Sequence, residues 1–207
     1  MQWHTDTIPE ATASVLEQIK NTSKLKDFYL SGGTALSLQL GHRESEDLDF
    51  FTKREFQPAE LQQQLFRYGQ LENVEVDEGT LNLFLKKVKL QFLYYPYNLL
   101  EKPTEWNSIY LSSVIDIACT KLITISMRGN KKDFVDLYVI LQKMPINDLL
   151  KKLDEKYQKV QYNTPHILKS LVYFDDADAQ PMPRMHISLE WEKVKDFMVK
   201  EVKKITF

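Results

Sequence analysis

Two stretches of the chain concentrate residue types that handle phosphates and divalent cations. The first is Gly32-Gly33-Thr34-Ala35-Leu36, followed by His42-Arg43-Glu44-Ser45-Glu46-Asp47-Leu48-Asp49. An apolar run, Phe28-Tyr29-Leu30, leads into the glycine pair, so a strand opens into a helix there. The first amides of a helix are unpaired and carry positive partial charge, which suits a phosphate, and glycines let backbone approach it closely. Thr34 can cap this helix or touch the phosphate chain. Asp47 and Asp49 are two apart in a strand pattern, which points both carboxylates to one face. Two such acids repel unless a cation lies between them, and hard oxygen ligands suit Mg2+. A Gly-Gly turn or an Asp-x-Asp pair alone is commonplace. Their order and spacing, with Arg43 and Ser45 between, favour the functional reading.

The second stretch runs from Lys121 to Leu137. Lys121 and Arg128 are two helical turns apart and share a face. Asp133 and Asp136 share a face of the next helix, where Lys132 can pair with Asp136 at i,i+4. Two readings stay open: a salt-bridge network tying two helices together, or a charged cluster serving a phosphate site. Lys121 stands among Ile117, Ala118, Leu122 and Ile125, so it either snorkels or reaches into a site.

Together these motifs resemble the AbiEii/AbiGii toxin family of nucleotidyltransferases, within the DNA polymerase β-like superfamily. In that family a glycine pair precedes an apolar helix and an Arg-x-Ser/Thr-x-Asp-x-Asp run, positions taken here by Gly32, Gly33, Arg43, Ser45, Asp47 and Asp49. A later motif is matched by Lys121, Arg128, Asp133, Asp136 and Leu137, with Lys132 where Arg is usual and Thr124 where Ala is usual. The resemblance covers about residues 26–142 by motif position. It implies an NTP-dependent, Mg2+-dependent nucleotidyltransferase acting on a hydroxyl of RNA, tRNA ends in particular, as a toxin beside a cognate antitoxin. In its terms Asp47 and Asp49 hold metal, and Gly32, Gly33, Thr34, Arg43, Ser45, Arg128 and Asp136 bind nucleotide. Lys121 neutralises the leaving pyrophosphate, and Asp133 acts as ligand or base.

One departure matters. Such enzymes usually carry a third carboxylate on a later strand, and the residue that aligns there is Gln91, an amide that takes no proton. The site then works with two acids, or Asp133 or another acid such as Glu75 or Asp77 supplies the third charge, or the chain binds nucleotide without efficient transfer.

The elements that must position these residues are readable. Thr7-Ile8-Pro9-Glu10 reads as a capping box before a helix near 9–21. Strands are expected near 28–30 and 47–51, helices over 34–40 and 58–68, then strands over 71–76, 81–85 and 88–95. Ser112 and Ser113 cap a helix to about Met127, and helices follow near 132–142, 147–160, 165–173 and 189–204. Asp175 to Arg184, with its Asp and Pro residues, reads as a loop. The expectation is an α+β fold: a nucleotidyltransferase core of about five mixed strands over 1–105, and a helical region over 106–207 carrying the Lys/Arg/Asp motif.

Other classes recede. A net charge of -2 rules out a globally basic coat, though not a local basic patch. One cysteine, Cys119, excludes a disulfide framework and a Cys-cluster zinc site. His4, His42, His166 and His186 lack ligand spacing, and His42 is expected to be an exposed loop residue. Ser31 and Ser45 have no apparent His partner, and the glycine turn lacks the Lys-Ser/Thr of a P-loop. Tyr94, Tyr95 and Tyr97 are read as core and rim, with base stacking the alternative. The lysines of 189–204, mixed with acids, are read as a solvated face rather than a tRNA contact. No apolar stretch approaches the roughly 18 residues of a membrane span, and no secretory leader is visible, so a cytoplasmic protein is expected.

Overall fold

The computed structural model describes residues 2–205, and the chain divides into two units after Ser113. The first unit is built on a seven-stranded mixed sheet. Its strands are β1 (Tyr29–Ser31), β2 (Leu48–Thr52), β3 (Leu71–Asp77), β4 (Thr80–Leu85), β5 (Val88–Tyr94), β6 (Thr104–Trp106) and β7 (Ile109–Leu111), in the order β3-β4-β5-β2-β1-β7-β6. The β2–β5 and β1–β7 pairs are parallel and the rest antiparallel.

Period-two alternation sorts the side chains. Leu81, Leu83, Leu85, Leu90, Phe92, Leu48 and Phe50 are buried on one face, where Phe50 and Phe92 stack at 5.2 Å. Thr80, Asn82 and Phe84 of β4, and Lys89 and Gln91 of β5, fall on the other face, all of them less buried. Helices α1 (Glu10–Ile19) and α3 (Pro58–Leu65) pack on the strands through Val15, Leu16, Ile19, Leu61 and Leu65. Helix α2 (Gly32–Leu40) springs directly from β1 and ends at Gly41, whose N–H bonds the Ser37 carbonyl at 2.8 Å.

Several expectations are corrected. Thr7 makes no capping box: its hydroxyl donates to the His4 carbonyl at 2.7 Å, and Pro9 is the N-cap. The sheet has seven strands rather than about five, because Asn107 and Ser108 at φ 51° and 65° turn β6 into β7. Those strands carry the first unit past residue 105. Helix α3 stops at Leu65, and one 3-10 turn continues to Tyr68.

The second unit is helical: α4 (Val114–Met127), α5 (Lys131–Leu141), α6 (Ile146–Lys156), α7 (Thr164–Ser170), α8 (Asp175–Asp178) and α9 (Trp191–Lys203). The segment read as a loop from Asp175 thus begins as a short helix. Asp178 accepts from Trp191 Nε1 at 2.5 Å, and Trp191 meets Phe134 and Phe174. Lys156 and Asp116, both buried, pair at 2.5 Å and join α6 to α4. Among the described residues no helix is long and apolar enough to cross a membrane.

Candidate active site

Seven of the expected site residues converge in the first unit, where β1 becomes α2. Gly32 makes the switch at φ +64°, a conformation other residues rarely adopt. A Cβ there would overlap Asp49 Oδ2 and lie 3.0 Å from its Cγ. The missing side chain is therefore the seat of the Asp49 carboxylate. At Gly33 a Cβ would come within 2.5 Å of Arg43 Nη2 and 2.9 Å of Ser45 Oγ. Both glycines are required by what leans on them.

Thr34, in the first turn of α2, is fully buried. Its hydroxyl donates to the Asp47 carbonyl and lies 3.0 Å from Ser45 Oγ. Thr34 thereby ties the acid-bearing loop to the helix N-terminus. Arg43 is 2% exposed and donates from Nη1 to the Glu44 carbonyl at 2.8 Å, so it braces the same loop from inside. His42, expected on the surface, is buried.

Asp47 sits just before β2 and Asp49 within it, and both are half-buried. Register places Asp49 between Ser31 of β1 and Gln91 of β5. Gln91 is the residue in line with the acid pair, as the sequence suggested. The row continues through Asn82 of β4 to Glu75 of β3. At the spacing of adjacent strands, Glu75 lies about 14 Å from Asp49, too far to share an ion with it. Asp77 pairs with Thr80, off this row, so neither acid replaces the missing carboxylate. Asn82 went unnoticed in the sequence, though a polar residue between Leu81 and Leu83 signals the second face of the sheet.

Among the described residues there is no group of three or more His, Cys, Asp or Glu side chains able to hold a metal ion. The local donor set is Asp47 and Asp49. Two half-buried carboxylates, one cradled by glycine, offer hard oxygen donors that could hold a divalent cation.

The second unit assembles Lys121, Arg128, Asp133 and Asp136. Lys121 Nζ lies 2.5 Å from Asp133 Oδ1 and 2.7 Å from Asp136 Oδ2, and all three side chains are buried. Arg128, well exposed, approaches Asp133 Oδ2 at 3.8 Å. Of the two readings left open, this geometry favours the salt-bridge network, since one ammonium answers two carboxylates.

The first unit thus sets paired acids on a mixed sheet beside a glycine-opened helix. The sequence matches the family of the nucleotidyl transferase AbiEii toxin, type IV toxin–antitoxin system, over residues 14–83 and 89–207. The chain belongs to that family. It is 36% identical over 194 residues to the uncharacterized protein aq_aa25 of Aquifex aeolicus, covering 91% of this chain and 92% of that one. Its fold is similar to that of MenT4, the nucleotidyltransferase toxin Rv2826c of Mycobacterium tuberculosis, with a TM-score of 0.57 at 15% identity over 93% and 81% of the chains. A crystal structure of a candidate nucleotidyltransferase from Helicobacter pylori also aligns, with a TM-score of 0.57 at 15% identity over 94% and 91%.

Proposed function

We propose that the chain transfers a nucleotide from an NTP to a hydroxyl of RNA, tRNA ends in particular, with Mg2+, as a cytoplasmic toxin held in check by a cognate antitoxin. The observation that carries this is the Asp49 carboxylate seated against Gly32 at the N-terminus of α2, with Asp47 tethered there by Thr34. The unpaired amides of Gly32 and Gly33 suit the phosphates. Asp47 and Asp49 would hold the ion, which when bound supplies charge neutralisation to the phosphoryl oxygens. The acceptor oxygen forms a bond to the α-phosphorus, the α–β bridging bond breaks, and pyrophosphate leaves with the electron pair. The hydroxyl proton passes to water, because the amide of Gln91 cannot take it.

The test is an Asp47→Ala/Asp49→Ala double variant incubated with α-labelled NTPs, Mg2+ and bacterial RNA. Loss of labelled RNA is expected; unchanged labelling defeats the site assignment. Gln91 beside Asp49, where a third acid is usual, favours one alternative, a nucleotide-binding module without turnover. Calorimetric binding of NTP and Mg2+ with no labelled product from the native chain would select it.

A further inference from the structure

On the sheet's second face, β4 and β5 set four side chains as two neighbouring rungs: Asn82 opposite Gln91, and Phe84 opposite Lys89. The first rung is in register with Asp49. Asn82 Oδ1 is buried and, among the described residues, has no hydrogen-bond partner. A buried acceptor without a partner is costly, and a ligand donor would relieve it. Phe84 and Gln91 are half-buried, and Lys89 is exposed. Two amides, a ring and a cation in one patch make a combination suited to nucleic acid: base edges, a stacking surface and a phosphate contact.

We infer that this quartet is the acceptor subsite and binds the 3′-terminal nucleotides of an RNA. The inference rests on the transferase reading above. In a phosphoryl transfer the attacking and leaving oxygens lie roughly in line across the phosphorus. The helix N-terminus that suits the phosphates continues from β1, on one side of Asp49. The attacking hydroxyl therefore enters from the other side, where β5 and β4 lie. Gln91 stands about 5 Å from Asp49 and Asn82 about 10 Å, the reach of a ribose and its base. Lys89 lies two residues along β5 from Gln91, about 7 Å away, close to the spacing of successive phosphates in a strand.

The test uses the full chain, α-labelled NTP, Mg2+ and deacylated bulk tRNA as acceptor, with Asn82→Leu, Phe84→Leu and Lys89→Ala variants whose melting temperatures are checked first. The acceptor KM should rise about tenfold in Asn82→Leu and Phe84→Leu, as expected for one lost hydrogen bond or stacked ring. Lys89→Ala should weaken tRNA binding by anisotropy and lower the slope of log K against log salt by about 1. NTP affinity by calorimetry should stay within about twofold, because the amides that suit the phosphates are untouched. An unchanged acceptor KM, or NTP affinity falling in step with it, overturns the subsite and leaves the transferase reading standing. Label appearing on a protein hydroxyl overturns the RNA acceptor, and a native chain that labels nothing overturns both.

Discussion

Replacing Gly32 with Ala tests the geometry on which the proposed active site depends. Holding a residue other than glycine at φ +64° costs about 1–2 kcal/mol. The added methyl would also overlap Asp49 Oδ2 and crowd its Cγ and Cβ at 3.0 and 3.2 Å, where ordinary contact begins near 3.4 Å. Relieving the overlap means moving the carboxylate by about 1 Å, a displacement that can cost roughly 100-fold in rate at a catalytic group. Gly79→Ala supplies the comparison. It lies in the β3–β4 turn at φ +68°, and its added Cβ would meet Tyr94 Cβ at 2.8 Å, away from both acids. Urea denaturation should find both variants destabilised by similar amounts. Nucleotide transfer, and Mn2+ binding followed by electron paramagnetic resonance in the presence of NTP, should collapse only in Gly32→Ala. Full transfer and full metal binding in a folded Gly32→Ala protein would refute the claim that the Asp49 position governs the chemistry.

Further outcomes are expected. Lys121→Met leaves the buried carboxylates of Asp133 and Asp136 without their ammonium, so stability should fall by about 3–5 kcal/mol in urea denaturation. Adding Asp133→Asn and Asp136→Asn should recover much of that, and an unchanged midpoint for Lys121→Met would return the lysine to nucleotide binding. Lys86 and Lys87 form the β4–β5 turn at φ 52° and 66°, so Asn-Gly in their place should raise the stability measured by urea denaturation by about 1–2 kcal/mol. Burial pushes the Cys119 thiol up to about 12, so at pH 8 it should resist a thiol reagent until the chain unfolds. Because the folded state holds this proton more tightly, its contribution is full below the ordinary thiol range near 8.5 and fades as pH rises towards about 12. Cys119→Ala should therefore lose less stability between pH 9 and pH 11 than the native chain, by chemical denaturation.

Much of the site was legible along the chain because its cues are local. A glycine pair between an apolar run and a helical pattern marks a strand-to-helix turn, and Leu81, Leu83 and Leu85 announce a sheet with two unlike faces. Order and spacing were enough to assign the family and to align Gln91 with the acid pair. Other matters depended on partners far away in sequence. Thr34 and Arg43 carry groups that suit a phosphate, and only the folded chain shows that each also bonds the loop between α2 and β2. His42 had the composition of a surface loop around it and is buried. Glu75 seemed close to the acids until strand order put two strands between β3 and β2. Along the chain Lys121 fits snorkelling or reaching into a site, and the packing of α4 on α5 sets its ammonium against Asp133 and Asp136. Backbone geometry repeats every two residues in a strand and every 3.6 in a helix, so a linear pattern fixes which side chains share a face. Where a polar group finds its partner is set by contacts between segments the chain brings together from a distance, and no periodicity encodes those.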